Sequence, residues 1–224
     1  MNDISANPVL SEEQKSLLLG LGNSSLRDHF YLTGGTALAA FHLQHRVSED
    51  LDLFTEEPVG IEEILAFLRS LPAFGKIEYH HKFDRRIFVL QCSTTKILNV
   101  EFTLYPFPRC DVGLSVEGVY IDSLTDILAN KLVAMTDRRD AKDYVDLYFA
   151  LKSNPDLDIE MLIRDAERKF GVVGVKDILR GRFLEGPPPL GILKMRETLD
   201  ATAMAEFFSV QARDWISSSV KGKP

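Results

Sequence analysis

Three groups of residues in the first half of the chain have the types and spacing to do chemistry together. Gly34 and Gly35 precede a run of small residues, Ala37, Ala39 and Ala40; Asp50 and Asp52 stand one residue apart in TGGTALAAFHLQHRVSEDLDLF (33–54); Glu101 is the single acid of ILNVEFTLYP (97–106). Side chains alternate faces along a strand, so Asp50 and Asp52 point the same way, about 7 Å apart. Two such carboxylates repel one another, and a divalent cation relieves the repulsion. Mg²⁺ suits an all-oxygen donor set and keeps waters and substrate phosphates in its shell, with Mn²⁺ as the alternative ion. Glycines let the backbone approach a ligand, and a helix starting at once offers free N–H groups and a favourable dipole to an anion. Thr36 adds a hydroxyl donor. The pattern is that of a phosphate chain lying between a helix start and a metal ion. Glu101, mid-strand where acids are depleted, is the natural third metal ligand.

The elements that must position these residues can be read from periodicity. Ser11 followed by Gln14 forms a capping box and predicts a helix over 12–22. A short strand at 31–33 leads into a helix over 36–45, a strand over 50–54 and an amphipathic helix over 61–71. Strand-like runs at 76–81, 86–92 and 97–105, with Asp84-Arg85 and 93–96 as turns, suit an antiparallel series. After a strand at 119–121, helices are expected near 123–137, 141–152, 158–169, 175–181, 190–199 and 203–218. The fold class is therefore α+β, a mixed sheet flanked by helices and then a C-terminal helical region. The expected domains are 1–121 and 122–224, with EGPPPLG as a stiff linker and SSSVKGKP as a frayed tail.

Composition bounds the function. The chain has 224 residues, 45% of them hydrophobic, and a net charge of −7. No apolar run reaches the roughly 18 residues of a membrane span, and the N-terminus lacks a secretory pattern, so a cytoplasmic protein is expected. Cys92 and Cys110 are the only cysteines, which argues against a disulfide framework or a zinc site. The acidic balance does not favour nucleic acid in bulk; binding RNA would need a local basic patch, which Lys131, Arg138, Arg139 and Lys142 could form.

In the helical half, Lys131 lies within the apolar stripe of Leu124, Ile127, Leu128, Leu132 and Met135. It is either a stem with its ammonium at the core edge or a cation directed at phosphates. Asp143 is either the N3 acid of a helix capped by Asp140 or a positioning acid, and Asp146 shares its face. Arg46 is a phosphate ligand or a helix C-cap, and Ser48 an N-cap or a ligand. His42, His45, His80 and His81 read as packing or surface residues, and Trp215 with Phe207 and Phe208 as a docked helix face.

A glycine pair, a helix, a DxD strand and a lone acid on a later strand resemble the DNA polymerase β-like nucleotidyltransferase superfamily. The longer wording GGTALA…HRVSEDLDLF, with Lys131, Arg138, Lys142-Asp143 and Asp146 in KLVAMTDRRDAKDYVDLYFAL, is similar to the AbiEii/AbiGii nucleotidyltransferase toxins over roughly residues 30–152. The resemblance implies transfer of a nucleoside monophosphate from a nucleoside triphosphate to an acceptor hydroxyl. It implies a tRNA 3′ end as acceptor and a cognate antitoxin as protein partner. Catalytic roles fall on Asp50, Asp52, Glu101, Lys131 and Asp143, nucleotide binding on Gly34, Gly35, Thr36, Arg46, Ser48 and Lys131, and metal binding on Asp50, Asp52 and Glu101. The alternatives are a small-molecule (aminoglycoside-like) nucleotidyltransferase, suggested by the acidic charge, and a catalytically lapsed nucleotide-binding module. The superfamily's usual third acid is aspartate, and Glu101 motivates the second alternative.

Overall fold

The computed structural model describes the backbone of residues 3–221. The chain divides into two compact units, Met1–Leu124 and Thr125–Pro224.

The first unit is built on one seven-stranded sheet. Its strands are β1 (Tyr31–Thr33), β2 (Leu51–Thr55), β3 (Ile77–Lys82), β4 (Arg85–Gln91), β5 (Ile97–Leu104), β6 (Leu114–Val116) and β7 (Val119–Ile121), in the order β3-β4-β5-β2-β1-β7-β6. β2 runs parallel to β5 and β1 parallel to β7; the other neighbours are antiparallel. Alternation sorts the side chains. Leu32, Leu51, Leu53, Val100, Phe102, Phe88 and Leu90 share one face and are almost wholly buried. The opposite face carries Thr33, Asp52, Asn99, Glu101, Thr103 and Arg85.

Helix α1 (Glu12–Gly22) starts at the expected capping box, with Ser11 and Gln14 satisfying each other's backbone N–H groups. Its Leu17, Leu18 and Leu21, and Ile64, Phe67 and Leu68 of α3 (Ile61–Ser70), complete the apolar core. α2 (Gly34–Ala37) begins two residues earlier than the spacing predicts and widens into a π-helical turn, Leu38–Leu43, closed by Gln44 at φ 54°. Such widened turns recur at functional sites. β6 went unread in the sequence because it is three residues long and contains no periodic pattern to detect.

The second unit is helical: α4 (Leu124–Asp137, whose first residue lies in the first unit), α5 (Ala141–Ser153), α6 (Ile159–Phe170), α7 (Val175–Glu185) and α8 (Ala201–Lys221). Its centre is aromatic. Trp215 stacks on Phe183 at 5.5 Å, Phe183 meets Phe208 at 4.6 Å, and Tyr144 meets Phe208 edge-on at 5.3 Å. Trp215 is thus a core residue, 3% exposed.

The helix expected at 190–199 is absent. Pro187-Pro188-Pro189 withhold three N–H donors, and Gly191 adopts φ 59°, so the segment runs as a loop with Ile192 fully in solvent. The expected frayed tail is helical backbone through Lys221, and its last three residues, 222–224, lie outside the described residues.

Candidate active site

β2 lies in the middle of the sheet, between β1 and β5, so the residues at its head have neighbours on both sides. Register places Asp52 opposite Thr33 on β1 and opposite Glu101 on β5. Neighbouring strands are about 4.8 Å apart, so the Asp52 and Glu101 side chains stand side by side on one face. Asp50 lies just before the strand, exposed, and accepts a hydrogen bond from Asn99 Nδ2 at 3.0 Å.

The glycines fit against these acids. Gly34 has φ 70°, a conformation that favours glycine, and a Cβ there would lie 2.1 Å from Asp52 Oδ2. The bare backbone at the helix start therefore touches the carboxylate. A Cβ on Gly35 would lie 2.8 Å from Arg46 Nη2 and 3.0 Å from Ser48 Oγ. The chain leaving the helix folds back and lays Arg46, only 3% exposed, and Ser48 over the second glycine. Gly34 with Asp52, and Gly35 with Arg46 and Ser48, are thus brought together. The buried Thr36 hydroxyl donates to the Asp50 carbonyl and ties the helix start to the head of β2.

Glu101 is held by protein partners. Arg85 grips it with both ends of its guanidinium, Nε–Oε1 at 2.6 Å and Nη2 on Oε2, and Thr103 Oγ1 donates to Oε1 at 2.6 Å. Arg85 opens β4 and pairs with Thr103 across the sheet. The hydrogen bond with Glu101 is the main reason its guanidinium is held above its ordinary pKa, and the charge of Asp52 adds to this. Arg85 read as a turn residue in the sequence; only the β4–β5 register brings it to the acids.

Among the described residues, no three His, Cys, Asp or Glu side chains are drawn together as a ready metal cage. The donor chemistry nevertheless fits a hard divalent ion. Asp50 and Asp52 offer carboxylate oxygens beside a backbone that a Cβ would fill, and one or two carboxylates with substrate phosphates are sufficient for Mg²⁺. Glu101 fits as a further donor only when released from Arg85.

In the helical unit, Lys131 on α4 and Asp143 and Asp146 on α5 form one ion cluster. Lys131 Nζ lies 2.9 Å from Asp143 and 2.7 Å from Asp146, and Arg138 Nη2 reaches Asp143 at 3.0 Å. The two aspartates are wholly buried and Lys131 is 9% exposed, whereas the Arg138 side chain is mostly exposed. Burial acts to lower the lysine pKa, but Asp146 and Asp143 outweigh it and hold the ammonium above its ordinary value. The Lys131 ammonium is thus a buried cation between two carboxylates rather than a solvent-edge group. As expected, the Asp140 side chain caps α5 through Lys142 N and Asp143 stands in its first turn, while the Asp143 carboxylate goes to Lys131 and Arg138. A second buried pair, Lys169 with Asp126 at 2.7 Å, joins α6 to α4. The sequence signal for it was a lysine on the apolar stripe of Leu162, Ile163 and Ala166. His42 is half-buried with Nε2 3.0 Å from the Asp122 carbonyl, and His45 is fully buried, so both serve packing.

Gly34 against the Asp52 carboxylate on the middle strand of a mixed sheet, with Glu101 in register beside it, is the arrangement expected from the resemblance to nucleotidyltransferases. Solved structures agree on the fold. A Helicobacter pylori protein assigned as a nucleotidyltransferase superposes with a TM-score of 0.64 at 20% identity, covering 96% of this chain and 100% of that one. JHP933 from Helicobacter pylori gives 0.63 at 21% identity over 95% and 98%. MenT4, a nucleotidyltransferase toxin of Mycobacterium tuberculosis, gives 0.56 at 16% identity over 90% and 82%. An uncharacterized protein of Aquifex aeolicus is 27% identical over 164 residues, 72% of this chain and 76% of that protein. Residues 16–218 match the family of the nucleotidyl transferase AbiEii toxin of type IV toxin–antitoxin systems. The chain belongs to the AbiEii nucleotidyltransferase toxin family. Membership makes it a nucleotidyltransferase, with a nucleoside triphosphate as substrate and an antitoxin as partner. No helix among the described residues is long and apolar enough to cross a membrane.

Proposed function

We propose that the protein transfers a nucleoside monophosphate to the 3′-terminal hydroxyl of tRNA, with Mg²⁺, in the cytoplasm. The observation that carries this reading is the contact of Gly34 with Asp52, which sets a bare backbone beside a carboxylate in register with Glu101. The triphosphate lies along Gly34 and Gly35, with Arg46 and Ser48 beside the second glycine. The acceptor oxygen bonds to the α-phosphorus, the bond to the pyrophosphate oxygen breaks, pyrophosphate leaves and the hydroxyl proton passes to water. Asp50 and Asp52 would hold the ion, with Glu101 as a further donor; when bound, it neutralises charge on the departing pyrophosphate. The chain's own part is positioning and electrostatics. Lys131 and Asp143 belong to the same proposal, in steadying the triphosphate and the acceptor; Arg138, bonded to Asp143, is the exposed member of their ion cluster. Arg138, Arg139 and Lys142 would supply the local basic patch that an acidic chain needs to bind RNA.

The test is incubation with each labelled nucleoside triphosphate, Mg²⁺ and total tRNA, beside a panel of aminoglycosides. Label at the tRNA 3′ end is the expected result, and Asp52→Ala abolishes it. Label on a drug instead would move the acceptor to a small molecule. An Asp52→Ala variant as active as the parent would remove the acid edge from the reaction.

A further inference from the structure

Register sets Asp52 and Glu101 side by side on one sheet face, with Asp50 just before the strand, and the chain itself supplies a cation there. Arg85 binds both oxygens of Glu101. Its position is fixed by the β4–β5 ladder, opposite Thr103, whose hydroxyl shares the same glutamate. Two properties of the pair decide what it can do. The geometry is the two-pronged guanidinium–carboxylate match, which holds Glu101 in one orientation. The Arg85 side chain, however, is half exposed, while that of Glu101 is 12% exposed. With its arginine arm half in water, the pair costs less to open than a buried one despite its two-pronged geometry. The buried pairs of the helical unit lack this property.

We propose that Arg85 is a built-in placeholder for the divalent ion: it neutralises and orients Glu101 in the metal-free protein and releases it when the ion binds. The inference rests on the reading of Asp50, Asp52 and Glu101 as metal donors. Arg85 is on this view a positioning residue, acting through Glu101. The device offsets the charge of Glu101 beside Asp52 and delays recruitment of the third donor until an ion is present.

The test is a Mn²⁺ titration of the nucleotide-free full chain followed by the loss of the free-ion electron paramagnetic resonance signal. It compares the parent with Arg85→Ala, Arg85→Lys, Asp52→Asn and the double variant Arg85→Ala/Glu101→Gln. Removing a competing exposed ion pair is expected to tighten Mn²⁺ binding by up to about fivefold in Arg85→Ala. Arg85→Lys, which keeps the charge and loses the fork, should fall between that and the parent. The gain should vanish when Glu101→Gln is added. Parent binding that Asp52→Asn removes but Arg85→Ala leaves unchanged or weakens would overturn the placeholder and leave the metal reading standing. Absence of Mn²⁺ binding in both the parent and Arg85→Ala would overturn both. A far-ultraviolet circular dichroism spectrum common to all variants excludes misfolding as the cause.

Discussion

The acid edge of the sheet and the ion cluster of the helical unit use the same ingredients to opposite ends. At the sheet, Glu101 meets an arginine that stands half in water. In the helices, Lys131 meets Asp143 and Asp146 with all three side chains nearly or fully buried. The first pair is cheap to break and so suits a site where a ligand must enter. The second cannot lose a member without leaving a charge stranded in the interior, so its geometry is held whether or not a ligand is near. Burial, more than charge, separates the two roles.

The largest effect is expected at the helices. Lys131→Ala leaves two buried aspartates without their cation and should cost about 3–5 kcal/mol in denaturant unfolding. A loss under about 1 kcal/mol would put the cluster in the same class as the exposed pair. The pH dependence follows from the same geometry. The folded Lys131 pKa is raised above its ordinary 10.5, so its stabilisation is complete below that pH and is lost only as pH rises through the higher folded value. The parent should therefore lose stability in the alkaline range, and Lys131→Met should lack that limb of the profile.

Gly34→Ala comes next. The left-handed backbone alone costs roughly 1–2 kcal/mol with a side chain in place, and the added methyl collides with Asp52. Displacing that carboxylate should lower nucleotide transfer by about 10²-fold or more, measured by label incorporation at saturating nucleotide. Near-parental transfer would detach the glycine contact from catalysis.

At the exposed pair, Arg85→Ala should change folding stability by less than about 1 kcal/mol. A loss as large as that of Lys131→Ala would make Arg85 a structural anchor. The smallest effect belongs to His42, whose burial lowers its pKa. The unfolded chain takes up its proton first, so stability should decline as pH falls through about 6.5 and level off below the folded value. A thermal unfolding series from pH 8 to 5 should show that step in the parent and lose it in His42→Gln.

Local patterns made much of this legible. The capping box of Ser11 and Gln14, the stripe of Ile61, Ile64, Leu65 and Leu68, and the alternation around Glu101 are short-range signals, and each element formed within a residue or two of its expected span. The loop at 190–199 misled because an apolar spacing compatible with a helix lies just beyond three prolines, and the backbone constraint prevailed. The partners of the site residues were another matter. Arg85 lies sixteen positions from Glu101 and Lys169 forty-three from Asp126. Nothing in a window of ten or fifteen residues joins them.

Residue types and short spacings by themselves marked the candidate site: the glycine pair, the spaced aspartates, the lone strand glutamate and the lysine on an apolar stripe. Residue type and short spacing are local properties, and the physics of strands and helix starts translates them directly. Tertiary structure alone decided which charges meet and how much water each pair keeps. Those depend on strand register and on the packing of distant helices, so the exposed Arg85–Glu101 pair and the buried Lys131 cluster became distinguishable only once the chain was folded.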